Sequence, residues 1–284
     1  MAKDLAGKVF LVTGATEGIG KAAALDFAKR GATLALAARS REKGERVVAW
    51  LKTESGNEQI ELLLADLSRM ADVRALAEAF RAKYDRLDVL VNNAGAVFAD
   101  YSETPDGIET TFALNHVSYF LLTHLLRDVL AKTPGARVVS TASGAHRQGY
   151  LDLANVVVRK GKRAGFRAYG DSKLANILFT RELARRLDGT GVTATCFHPG
   201  FVESGFAQNN GGAFASLIKL GQRLMARSAE KGAETLIWLA TSPDPGQAGG
   251  YYHDMKIAKS SSRARNDDLA KDLWTLSEKI CGVA

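Results

Sequence analysis

The sequence predicts an α/β fold, a doubly wound parallel sheet in a single domain. Three observations predict it. Short apolar runs alternate with helical patterns along nearly the whole chain, and a glycine-rich turn joins the first run to the first helical pattern. The apolar fraction is 46% over 284 residues, enough for one sizeable core, and no linker, repeat or simple-composition segment divides it.

Val9-Phe10-Leu11-Val12 reads as a strand buried on both faces, followed by the glycine turn and a helix from Ile19 to Lys29. A second strand spans Thr33 to Ala38. Helices at Arg41 to Thr53 and Arg69 to Tyr84 flank a third strand at Ile60 to Leu64, and Leu87 to Val91 makes a fourth. A long helix follows from Gly107 to Lys132, then a strand at Arg137 to Ser140, a helix from Ala168 to Leu187 and a strand at Val192 to Phe197. A helix near Glu230 to Ala240 and a short strand around Tyr251 are expected to close the sheet. This alternation calls for right-handed crossovers with helices on both faces, and ligands in such sheets sit beyond the carboxyl ends of the strands.

Composition narrows the function. A net charge of +7, from 38 basic and 31 acidic side chains, suits an anionic cofactor and is no nucleic-acid signature by itself. Cys196 and Cys281 lie far apart without metal-ligand spacing, and the five histidines do not gather around them, so neither a metal nor a disulfide framework is expected. The apolar run at Val9 is too short for a signal sequence or an integral membrane segment, so a soluble, cytoplasmic protein is expected.

Two features carry chemistry. Thr13-Gly14-Ala15-Thr16-Glu17-Gly18-Ile19-Gly20 has a strand before it and a helix after it, so its backbone turns sharply and approaches a pyrophosphate at the helix N-terminus. Tyr169-Gly-Asp-Ser-Lys173 puts a phenol and an ammonium four residues apart on one helix face. A unit charge about 4 Å away at an effective dielectric of ~20 is worth roughly 4 kcal/mol, enough to lower a tyrosine pKa towards the range of acid-base catalysis.

The glycine spacing has the TGxxxGIG form and resembles the short-chain dehydrogenase/reductase family, which has a Rossmann-type sheet. That resemblance implies dinucleotide contacts from Gly14, Thr16, Gly18, Ile19 and Gly20. The second strand ends without the acidic residue that binds the ribose of NAD, and Arg39 matches the family's clamp on the 2'-phosphate of NADP. NADP is therefore the expected cofactor, with NAD as the alternative, because Glu17 precedes the second glycine where many NADP-preferring relatives carry a basic residue. Asp66-Leu67 resembles the adenine contact. Asn93, Ala94 and Gly95 belong to a match to the NNAG motif, and His198-Pro199-Gly200-Phe201-Val202-Glu203-Ser204 fits the PG motif, with Ser204 replacing the usual threonine. Pro199, Gly200, Val202 and Ser204 are thereby assigned to the nicotinamide end.

The same resemblance implies a catalytic set of Asn115, Ser143, Tyr169 and Lys173. Ser143 holds the substrate oxygen, Tyr169 gives the proton, Lys173 lowers the tyrosine pKa and holds the nicotinamide ribose, and Asn115 orients a relay water. His116, His124 and His146 are left out, since the tyrosine already fills the acid-base role. The interval of 26 positions from Ser143 to Tyr169, the Lys173-Leu174-Ala175-Asn176 run and the tail Ser262-Arg263-Ala264-Arg265-Asn266 resemble the branch of retinol dehydrogenases, protochlorophyllide reductase and the WW-domain oxidoreductase. The implied substrate is a small carbonyl or alcohol, lipophilic in much of that branch. Reduction of a carbon-carbon double bond and a non-catalytic dinucleotide-binding regulator are the rival readings. A homo-oligomer is compatible with the sequence.

The apolar stripe Phe214, Leu217, Ile218, Gly221, Leu224 and Met225 falls where the family carries its substrate lid, near 203–228, and equally suits core or subunit packing. Arg159 to Arg163 reads as a solvated basic loop.

Overall fold

The computed structural model describes residues 3–158, 165–202, 227–244 and 246–283. Ser204, the stripe from Phe214 to Met225 with nearly all of the expected lid, and the basic run Arg159 to Arg163 lie outside the described residues.

The sheet is built on β1 (Val9–Thr13), which lies between β2 (Thr33–Ala38) and β4 (Val89–Asn92) and is buried at every position. Side chains alternate across a strand, so Val9 and Leu11 enter one core cluster while Phe10 and Val12 enter the other. Each such fully buried side chain contributes about 1.5–3 kcal/mol. With β3 (Ile60–Leu64), β5 (Arg137–Thr141), β6 (Thr193–Phe197), β7 (Tyr251–His253) and β8 (Lys256–Ile257), the strand order is β3-β2-β1-β4-β5-β6-β7-β8. Pairing is parallel as far as β7. The order reverses direction between β1 and β4, and that reversal opens the crevice in which a ligand can sit.

The helices are α1 (Gly18–Lys29), α2 (Arg41–Ser55), α3 (Met70–Arg81), α5 (Arg127–Lys132), α6 (Phe166–Arg186), α7 (Ala229–Thr241) and α8 (Asp267–Cys281), with α4 described below. Local chemistry sets several ends. Ser40, Ser228 and Asn266 cap α2, α7 and α8 by accepting backbone N–H bonds, and Gly56 and Gly282 end α2 and α8 in the left-handed conformation. α1 differs: Glu17 precedes it without a side-chain cap bond.

Three expectations need correction. The helix expected from Gly107 to Lys132 starts later, where Glu109 accepts from the N–H groups of Thr111 and Phe112 at 2.9 Å, and it is not one helix. α4 comprises Thr110–Phe112, a π-helical Ala113–Val117 and Ser118–Leu125, and the chain then breaks at Leu126 before α5. Tyr251 does not close the sheet, because β8 pairs with β7 antiparallel through a two-residue turn with Asp254 and Met255 both at positive φ. The tail also forms a helix, α8, whose apolar face, with Leu273 and Trp274, packs against Phe120 and Phe179. No helix among the described residues is long and apolar enough to cross a membrane.

Candidate active site

A cavity of about 800 Å³ runs along the carboxyl ends of the strands, from the glycine turn to Tyr169. At its start the backbone is crowded. Gly14 lies at φ +65°, and a Cβ there would stand 2.7 Å from the Cα of Ala94; Gly20 is pressed against the carbonyl of Gly14. Asn93 causes that closeness, donating to the carbonyls of Thr13 at 3.2 Å and Gly14 at 3.1 Å while its Oδ1 accepts from Thr141 at 3.0 Å. Its side chain is therefore spent on holding the turn. Thr13 stitches the same place from the other side, donating to Val91 O and accepting from the N–H groups of Asn93 and Ala94.

Gly14, Thr16, Gly18 and Ile19 line this end, whereas Gly20 lies beneath the turn. Arg39 is exposed on the cavity wall after β2, beside Lys43. Asp66 and Leu67 line the wall after β3, with Asp66 Oδ1 accepting from Ser68 N–H and Oγ–H. Ala94 and Gly95 continue the floor, and Pro199, Gly200 and Val202 form the opposite rim. A Cβ on Gly95 would come within 3.0 Å of Asn115 Oδ1 and 3.4 Å of Lys173 Nζ, so glycine keeps the lysine accessible.

Every residue of Tyr169-Gly170-Asp171-Ser172-Lys173 has a defined task. Gly170 admits close packing of the 144–149 turn, since a Cβ on it would stand 3.0 Å from Ala145 O and 3.3 Å from Gly149 N. Asp171 accepts from the N–H groups of Tyr150 and Leu151 at 2.7 and 2.9 Å, pinning the start of the insert. Ser172 donates to Tyr169 O and accepts from Asn115 Nδ2 at 3.0 Å. Lys173 Nζ donates to Thr141 O at 3.0 Å and lies 5.5 Å from the centre of the Tyr169 ring. Ser143 and Tyr169 both line the cavity.

The electrostatics differ from the sequence argument. Burial pushes the Tyr169 phenol up to about 12, and the neighbouring Ser143 hydroxyl opposes that rise. Burial pulls Lys173 down to about 7. The lysine was expected to bring the phenol down by its charge; here it is desolvated, and its hydrogen bond goes to a carbonyl. The Asn115 side chain bonds within the protein: Oδ1 accepts from Ala96 N–H at 2.9 Å and Nδ2 donates to Ala96 O and Ser172 Oγ, both at 3.0 Å. It locks the β4 loop to α6.

Two histidines without a role in the site at the level of sequence shape it: His146, set aside as an acid-base candidate, and His198, read only as part of the PG motif. His146 Nδ1 lies 2.7 Å from Ser143 O, and its Nε2 accepts from Ser261 N–H at 3.1 Å, so the ring carries its proton on Nδ1 and braces the Ser143 turn. His198 forms a cavity wall stacked on His253 with ring centres 4.5 Å apart, and burial holds its pKa down to about 4. Neither partner could be read from local spacing.

The backbone cradle under Gly14, the α1 N-terminus without a side-chain cap, and the cationic wall of Arg39 and Lys43 fit a dinucleotide phosphate chain. The family model of the short chain dehydrogenases matches residues 8–213. The chain belongs to the short-chain dehydrogenase/reductase family. It is 42% identical to retinol dehydrogenase 12 of Mus musculus, over 99% of this chain and 88% of that protein. A crystal structure of an uncharacterized protein from Mycobacterium paratuberculosis superposes with a TM-score of 0.79 at 30% identity, covering 99% of this chain and 97% of the other. A short-chain dehydrogenase from Burkholderia cenocepacia J2315 in complex with NADP gives 0.69 at 29% identity, covering 87% of this chain and 96% of that one. Within the short-chain dehydrogenase/reductase family the chain groups with the retinol dehydrogenase branch. It is an NAD(P)-dependent oxidoreductase acting on CH–OH or C=O groups.

Proposed function

We propose that the protein is an NADP-dependent reductase/dehydrogenase that interconverts a carbonyl and an alcohol on a lipophilic small molecule, with Tyr169 as general acid and base. The observation that carries this reading is the convergence of Ser143, Tyr169 and Lys173 on the wall of one cavity, with Lys173 Nζ 5.5 Å from the centre of the Tyr169 ring. One continuous sheet supports reading the whole chain as a single catalytic domain.

The cofactor, when bound along Gly14, Arg39, Asp66 and Gly95, supplies or takes the hydride. The rest is done by the chain. Ser143 donates to the substrate oxygen, and Tyr169 delivers the proton to that oxygen as negative charge develops on it. A phenol held near 12 stays protonated at neutral pH, which suits the reductive direction. Lys173 supports Tyr169 and the ribose, Asn115 keeps α6 and the β4 loop in register, and His198 walls the site as a neutral ring. Phe98, Leu114, Phe166 and Phe201 make the substrate side apolar, which favours a lipophilic molecule.

Arg39 supports NADP over NAD, and so does the NADP held by the related Burkholderia cenocepacia structure. The test follows oxidation of NADPH and NADH against a panel of aldehydes, ketones and enones, with product analysis. NADPH-linked formation of alcohols is expected. Saturated carbonyl products from enones would move the reading to double-bond reduction, and tight NADPH binding without turnover on any class would make the protein a regulator.

A further inference from the structure

The tail run from Ser262 to Asn266, which stands out in the sequence, has no task in the reaction scheme. In the structure the stretch from Lys259 to Arg263 lies against the turn that follows Ser143 and is tied to it through Arg147, Arg263 and His146. Arg147 donates to Lys259 O. Arg263 donates to Tyr150 O at 3.0 Å, with its guanidinium 3.8 Å from the centre of the Tyr150 ring. Ser261 N–H donates to His146 Nε2 at 3.1 Å. The two arginines are exposed, so water competes for their bonds, whereas His146 is fully buried.

The imidazole passes its tie on to Ser143. Ser143 O accepts from His146 twice, from the backbone N–H at 3.2 Å and from Nδ1 at 2.7 Å. A carbonyl can only accept and a backbone N–H can only donate, so these two neighbours fix one tautomer, with a proton on Nδ1 and none on Nε2. Burial disfavours a second proton on the ring, and the Tyr251 ring stands edge-on to it at 5.1 Å between centres. With its carbonyl held in this way, Ser143 opens the turn in an extended conformation, φ −162° and ψ 155°, and its Oγ accepts from Ala145 N–H at 3.2 Å. That bond uses a lone pair and leaves the hydroxyl proton for the substrate oxygen. Freeing the carbonyl would let the hydroxyl drift, and a displacement of about 1 Å in an active site can cost roughly 10²-fold in rate.

We propose that His146 is a positioning residue for Ser143, held in the tautomer that does so by the tail at Ser261. The proposal rests on the assignment of Ser143 to the substrate oxygen above. The plain alternative is that His146 only fastens the tail to the turn and acts on stability alone.

A double-mutant cycle separates the two. His146→Gln puts an amide near the place of Nε2, where it can still meet Ser261 N–H, and leaves Ser143 O without its side-chain donor. With NADPH and 4-nitrobenzaldehyde as probe, kcat in His146→Gln should fall roughly tenfold with NADPH affinity retained. In the Ser143→Ala background, followed in single turnovers, the same change should lower the residual rate by less than about twofold, because the group it positions is gone. An equal factor in both backgrounds, or no loss in the parent background, overturns the proposal. Ser143→Ala alone keeps the two readings apart. Parental kcat there would remove the role of Ser143 itself, whereas a loss there with none in His146→Gln would remove only the positioning role.

Rescue decides the matter where the residual rate of Ser143→Ala is too small to measure. His146→Asn returns an amide N–H near the place of Nδ1 but cannot reach Ser261, so its kcat should exceed that of His146→Gln several-fold; an equal or lower kcat overturns the proposal. Where neither variant folds, long-range ¹H–¹⁵N correlation spectra of the parent's histidine rings decide, with His146 identified by Overhauser contacts to the Tyr251 ring. The Nδ1–H tautomer supports the proposal, and an Nε2–H tautomer overturns it.

Discussion

The two ends of the cavity are built on opposite physical terms. At the glycine turn the walls are backbone and solvent-facing side chains: Glu17 and Arg39 are exposed, and Gly14 and Gly20 act by what they lack. At the other end the working groups are buried side chains, with Tyr169 9% and Lys173 2% exposed. The first end handles a polyanion, for which turned-out N–H groups and hydrated cations suffice. The second must place protonation states, and it does so by removing water from a phenol and an ammonium. That costs stability, so changes there trade turnover against folding, whereas changes at the first end trade only affinity.

The largest effect is expected at the buried end. Tyr169→Phe keeps the ring and its packing but removes the proton donor, so kcat should fall by about 10²-fold or more with NADPH affinity retained. Near-parental turnover on a confirmed carbonyl substrate would break the mechanism and with it the contrast between the two ends.

Lys173→Met sharpens the same contrast through stability. Burial holds Lys173 near 7, against an ordinary value of 10.5. Between those two values the unfolded chain binds a proton that the folded chain does not, so the folded state gains stability as pH rises through that window. Below pH 7 the full cost of the buried ammonium is present. Methionine carries no proton, so Lys173→Met should lose turnover by tenfold or more while melting several degrees higher than the parent at pH 6.5, with the advantage shrinking towards pH 10. Loss of one bond to Thr141 O offsets part of the gain. Thermal melts across pH 6 to 10 check this; an advantage that does not change with pH would mean that the lysine is not desolvated as described.

The same difference decides what could be read from the sequence. The glycine turn, Asn93-Ala94-Gly95 and the Tyr169/Lys173 spacing are local patterns, and the cavity brings them together. The doubly wound parallel sheet followed from the alternation of elements. What stayed hidden depends on distant partners. His116 meets Ser277 across 161 positions, His146 meets Ser261 across 115, and Thr13 meets Asn93 across 80. α8 was missed because its packing against Phe120 and Phe179 comes from tertiary contact. The direction of the Lys173 shift was missed for the same reason. Spacing shows that a phenol and an ammonium are neighbours, but only burial shows that desolvation dominates both.

The smallest effects belong to the exposed end, where Arg39 and Glu17 pull in opposite directions on cofactor choice. Arg39 has no ion-pair partner among the described residues, so its charge is available to a 2'-phosphate. Such a charge-assisted contact is worth about 1.5 to 3 kcal/mol, so Arg39→Ala should weaken NADPH binding roughly ten- to hundredfold and leave NADH nearly unchanged. Lys21 does not offset Glu17, because its ammonium sits over the Trp50 ring at 3.8 Å. Glu17 therefore keeps a carboxylate at the head of α1, near any phosphate bound there. Glu17→Ala should widen the NADPH preference by only a few-fold, because an exposed charge is screened by solvent and salt, and raising the salt concentration should shrink the effect further. Dissociation constants of both cofactors for the parent and the two variants check this. Equal losses of NADPH and NADH in Arg39→Ala would make Arg39 a structural residue, and the exposed end would then select for the dinucleotide without selecting between its two forms.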